Sequence, residues 1–127
     1  MAFRPERARE VLPQVDPARL WAGWPVGLRD GALLALIAAG VTAEELAELK
    51  ASAITMERGR LWIALRRYGL AWYVVLSPDL GGRVLAWLNE RRLWATPEPV
   101  FTGIQGPLSS ISIYQILHRY RQEKDPR

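Results

Sequence analysis

The chain offers few groups that could make or break a bond. It holds one histidine, His118, and no cysteine. Thiolate zinc sites, iron–sulfur clusters and a cysteine nucleophile are therefore excluded. A single imidazole leaves no His-rich metal site and no relay of histidines. His118, Arg119 and Tyr120 are adjacent in sequence. On a helix such neighbours point about 100° apart, so they do not converge. Glu44 and Glu45 are adjacent acids near an expected helix start, where capping explains them better than acid–base work. The expectation is a protein with no catalytic residue, no cofactor and no metal.

What the sequence does offer is cationic. There are 17 basic and 13 acidic residues, for a formal charge of +4, and the lysines are Lys50 and Lys124 alone. Between positions 58 and 67 stand Arg58, Arg60, Arg66 and Arg67 with no acid. The stretch before it, Thr42 to Glu57, holds four acids and one lysine, a net of −3. Charge is separated along the chain. Arginines on a hairpin suit a phosphate backbone, and Trp62 among them is placed to stack or pack. The same arginines also suit a solvated sheet edge that discourages aggregation. Tryptophan is abundant, with six residues. Trp21, Trp24, Trp62, Trp87 and Trp94 are candidate interface anchors, or else core filling.

The elements that must position these groups follow from the hydrophobic pattern. With 127 residues, half of them apolar, the chain makes one domain and buries roughly two-thirds of its unfolded surface. The longest apolar stretch, Ala32 to Val41, is about half the length of a membrane span. Met1 to Glu10 is charged, unlike a secretory signal. A soluble, cytoplasmic protein with no membrane contact is expected. Residues 1–26 form a segment broken by prolines, with short helices over Glu6–Leu12 and Pro17–Ala22. Leu33, Leu34, Leu36 and Ile37 mark a buried helix that Gly40 ends. Thr42 and Glu45 form a capping box for a helix over Ala43–Lys50, with Leu46 and Leu49 facing the core.

The period then changes to two. Leu61, Ile63 and Leu65 alternate with Arg60, Trp62, Ala64 and Arg66, the mark of a half-buried strand. A second strand covers Ala71–Leu76 and a short third one Ile54–Glu57, with turns at Arg58-Gly59 and at Gly69. Ser77-Pro78-Asp79 starts a helix running to about Arg92, in which Leu80, Val84, Trp87 and Leu88 share a face. Thr96–Pro107 reads as a loop. Ser109 caps a last helix with Ile113, Ile116, Leu117 and Tyr120 in one stripe and Arg119, Arg121 and Lys124 near its end. The fold class is α+β, mainly helical, with a small three-stranded antiparallel sheet. The segments are 1–26, a domain over 27–122 and a tail over 123–127.

Four phrases in this order resemble the catalytic domain of tyrosine recombinases, the phage-integrase family. They are Gly27–Leu36, Ala39–Leu46, Leu76–Leu80 and Pro107–Leu117. The resemblance covers about residues 27 to 122 and corresponds to roughly the first half of that family's domain. It implies a hairpin that approaches DNA. It also implies what is missing. Thr42 stands where the family has its first catalytic arginine, Arg67 falls at the hairpin lysine position, and no second catalytic box or nucleophilic tyrosine segment follows. The expectation is a non-catalytic, recombinase-like protein that binds DNA, or joins a DNA-associated assembly, through Arg58, Arg60, Arg66 and Arg67. The alternative is a self-associating or partner-binding module without nucleic-acid contact.

Overall fold

The computed structural model describes residues 3–124, with the side chains beyond Tyr120 left aside. The basic side chains of Arg121 and Lys124, and the tail from 125, lie outside the described residues. The elements run α1 (Pro5–Val11), α2 (Val26–Ala38), α3 (Ala43–Glu48), β1 (Ile54–Glu57), β2 (Arg60–Arg67), β3 (Leu70–Val75), α4 (Pro78–Arg91), β4 (Thr102–Gly103), β5 (Gly106–Pro107) and α5 (Ser110–Lys124). The fold is α+β and mainly helical. Among the described residues no helix is long and apolar enough to cross a membrane, and no acid or histidine cluster could hold a metal ion.

α2 is the central element. Its Ala and Leu residues are strong helix formers, and twelve of its residues, from Val26 to Ala38, are buried. It starts at Val26, a turn before the charged pair Arg29-Asp30, so that pair is carried inside the helix. At its far end Gly40 has φ +102°. The Gly40 and Val41 amides donate to the Ile37 and Leu36 carbonyls, which closes the helix as a left-handed residue permits. α4 lies along α2 and ends the same way, but with Arg92 at φ +54°. Its start differs from the expected cap: the Ser77 hydroxyl donates to Asp79 (2.6 Å) and leaves the backbone amides alone.

Residues 3–26 belong to the same core. Phe3, Ala8, Val11, Leu12 and Val15 are buried in it, and α1 packs on α2. Pro17–Ala22 is not a helix. The Asp16 carboxylate accepts the Ala18 amide (2.9 Å). Trp21 and Trp24 then exchange backbone hydrogen bonds of 3.0 and 2.9 Å around Ala22-Gly23, both at positive φ. That is a tight hairpin turn, favoured here because Gly27 lets the two segments touch. A β-carbon on Gly27 would fall on the Asp16 carbonyl oxygen and lie 3.0 Å from the Arg19 amide nitrogen.

α3 begins with the expected capping box, both Thr42 and Glu45 bonds being present. It stops two residues earlier than expected. Leu49 and Lys50 turn extended, so that the Leu49 carbonyl accepts the Val100 amide and the Ala51 amide donates to the Glu98 carbonyl. That pairing draws Val100 and Phe101 into the core, so the expected loop holds core residues and a two-stranded hairpin, β4–β5. The three-stranded sheet has order β1-β2-β3, antiparallel. Leu61 and Ile63 are buried and Leu65 is half-buried. Each fully buried side chain of that size contributes roughly 2 kcal/mol.

Candidate functional site

The strand alternation decides which arginines of the hairpin face outward. Arg60, Trp62, Ala64 and Arg66 share the solvent face of β2. The register places Thr55 and Glu57 on one side of them and Ala71, Tyr73 and Val75 on the other. Arg58, in the β1–β2 turn, is exposed, as are Arg60 and Arg66. Arg66 donates to the Gly69 carbonyl (2.8 Å). Arg58 and Arg60 make no side-chain hydrogen bond or ion pair with the described residues. Trp62 and Tyr73 meet edge to face, their centroids 6.3 Å apart. The Trp62 indole N–H is held by the Glu57 carbonyl (3.3 Å). The outer face thus carries an aromatic pair flanked by cations.

Arg67 is different. Period two puts it on the inner face with Leu61, Ile63 and Leu65. There it grips both Glu45 oxygens through Nε and Nη2, at 2.7 and 2.8 Å, and Nη2 also donates to the Gly40 carbonyl at 2.9 Å. Its guanidinium also covers the Trp72 ring, 5.8 Å from its centroid. Bidentate, charge-assisted pairs of this kind are strong and directional. The Arg67 hydrogen bonds, ahead of the opposing effect of burial, hold the Glu45 carboxyl below its ordinary range. Arg67 is therefore a clamp between the hairpin and the α2–α3 junction, and its donors face away from the outer surface. Thr42, at the position of the missing family arginine, is the cap of α3.

Among the tryptophans, Trp87 is not a surface anchor. It is fully buried, and its indole donates to the Val100 carbonyl (2.7 Å). It stands in the middle of the apolar face of α4, so packing consumes it. Trp94 is partly exposed, with its N–H on Asn89 (2.7 Å). His118 is half-buried on α5. The Tyr114 hydroxyl donates to Glu44 (3.0 Å), tying α5 to α3. Burial, and then that carboxylate, raise the Tyr114 phenol above its ordinary range.

A second region was not expected. The start of α2, the Trp21–Trp24 turn, the β4–β5 hairpin and α5 enclose a cleft of about 780 Å³. Arg29 and Asp30 line it although they are only 6% and 4% exposed. Arg29 Nε donates to Asp30 (2.9 Å), and the Tyr120 hydroxyl donates to the other Asp30 oxygen (2.6 Å). Arg19 and Arg119 stand exposed in its wall. The Trp24 indole N–H is buried with no acceptor among the described residues, while Arg91 covers the Trp24 ring at 4.3 Å. One signal in the sequence could have pointed here: a charged pair, Arg29-Asp30, inside an otherwise apolar helix, since buried charges are rare unless they are used. No family model and no curated protein matches this chain.

Proposed function

We propose that the chain is a non-catalytic nucleic-acid-binding domain that meets a phosphate backbone with the outer face of its three-stranded sheet. The resemblance to recombinases supports DNA as the nucleic acid. The observation that carries the reading is the placement of Arg58, Arg60 and Arg66 around the Trp62–Tyr73 pair. Arginine supplies sequence-independent phosphate contacts, and exposed rings accept bases by stacking. Glu57 is the one acid in that neighbourhood on the sheet, beside Arg60 in register. Arg67 takes no part.

The test is anisotropy of labelled duplex and single-stranded oligonucleotides over a salt series. Affinity should fall with salt at a log–log slope of about −0.9 per phosphate contact for duplex. The double substitution Arg60→Glu and Arg66→Glu should weaken binding roughly tenfold or more and flatten the slope by about two contacts. Salt-independent binding, or a double variant that binds as the parent does, removes the sheet face from the function.

One observation favours a second reading, self-association. β3 is an edge strand, and Leu70, Trp72, Tyr73 and Val75 on it are exposed, with Tyr68 at the adjoining turn 98% exposed. An apolar edge is a template for pairing with a second copy. Light scattering across a concentration series separates the readings. A dimer that Val75→Lys dissociates supports pairing through β3, and a strict monomer eliminates it.

A further inference from the structure

The sheet face leaves the cleft unexplained. We propose that the cleft binds a small organic oxyanion, a phosphate monoester or a carboxylate carried on a flat apolar body. This assignment is independent of the sheet-face reading. Three features point the same way. Arg29 is nine-tenths buried, yet its Nε alone is paired, so both Nη groups lack a protein partner among the described residues. Two parallel N–H groups at the end of a fixed fork match two oxygens of one anion. Asp30 holds that fork in place. Its own oxygens already accept from Arg29 and Tyr120, which limits its repulsion of an anion.

The Trp24 indole N–H, buried beside the same cleft, has no acceptor among the described residues. A buried donor left unpaired is costly unless a ligand or water completes it. Space over the guanidinium is preserved by Gly103. A β-carbon there would lie 3.6 Å from Arg29 Nη1 and 3.3 Å from Leu108. Arg19 and Arg119 at the wall add two positive charges against the single negative charge of Asp30, enough to draw an anion in. The apolar body has its own partners. Trp21 is 65% exposed and Ile104 is 52% exposed, and both line the cleft. A flat ring lies well on such a surface.

The experiment is isothermal titration of the full chain with phenyl phosphate, with benzoate and with inorganic phosphate. Saturable binding of phenyl phosphate or of benzoate supports the site, and the tighter of the two says which oxyanion it prefers. Inorganic phosphate should bind at least about tenfold more weakly than phenyl phosphate. Equal affinity overturns the apolar half of the assignment. Arg29→Gln should abolish binding. Because Arg29 is buried and its variant could lose the fold, Arg119→Glu at the exposed wall is the second variant. It should weaken binding roughly fivefold or more with an unchanged circular dichroism spectrum. No saturable heat with either organic anion at millimolar concentration overturns the proposal, as does wild-type affinity in Arg119→Glu. The Arg60→Glu, Arg66→Glu double variant should titrate like the parent, so a failure of the sheet-face reading leaves this one standing.

Discussion

Arg67 and Arg29 each sit beside one carboxylate, toward opposite ends of α2, and they end in different states. Arg67 closes a bidentate fork on Glu45 and spends a further N–H on the Gly40 carbonyl. Arg29 is more deeply buried but touches Asp30 through Nε alone. The first guanidinium has its nearby donors filled by its own chain and holds the hairpin in place. The second is aimed and left unfilled. Charge and burial by themselves would rank Arg29 as the structural residue, because burying an ion is costly. Counting donors reverses the order: Arg67 makes three hydrogen bonds within its own chain and acts as mortar, whereas Arg29 makes one and is left as a socket.

Three substitutions test how far the two regions are separable. The largest effect belongs to Gly27→Ala. A β-carbon there meets the Asp16 carbonyl oxygen, and backbone cannot move aside as a side-chain tip can. The expected loss is more than about 3 kcal/mol in denaturant unfolding. It should open the cleft wall that carries Arg19 while the β2–β3 hairpin keeps its amide protection in hydrogen exchange. Simultaneous loss of protection in both regions would show that they form one cooperative unit.

Glu45→Ala comes next. It removes half of the capping box and leaves Arg67 part-buried without its anion, for an expected loss of about 2 kcal/mol. This pair also has a pH signature. The folded Glu45 carboxyl lies below its ordinary value of 4.5 because Arg67 and the Thr42 amide favour its charged form. Its contribution is therefore complete above about pH 4.5 and disappears as pH falls through the lower folded value. Unfolding curves of the parent and Glu45→Ala should converge in acid. A gap that stays constant from pH 7 to pH 3 would contradict the role given to the ion pair.

The smallest effect is expected from Tyr120→Phe. It deletes the 2.6 Å hydrogen bond to Asp30 and should cost about 1 kcal/mol. The thermal midpoint of the chain reports it. Binding of oligonucleotide to the sheet face should not change. If Tyr120→Phe weakens oligonucleotide binding, the cleft and the sheet are coupled and the two regions are not separable.

Much of the architecture was legible in the residues. The capping box at Thr42 and Glu45, the positive-φ turns at Gly59 and Gly69, and the apolar stripes of α4 and α5 are local patterns. They are written within four to eight residues and were read correctly. The outward placement of Arg60 and Arg66 was legible for the same reason. So was the inward placement of Arg67, because it continues the parity of Leu61, Ile63 and Leu65. Trp87 left two readings open, because a tryptophan in a stripe can anchor a core or an interface, and only its neighbours distinguish the two.

Local sequence determined α2, α4, α5, the start of α3, the three-stranded sheet with its turns and the face on which each arginine of the hairpin stands, since these depend on periods of 3.6 and 2 and on backbone dihedral preference. The cleft was decided by tertiary structure alone. Its wall joins residues near positions 20, 30, 105 and 120. No short-range pattern relates them, because what brings them together is the burial of α2 between α1 and α4 with α5 packed on α1 and α3, an energy summed over the whole core and written in no single segment.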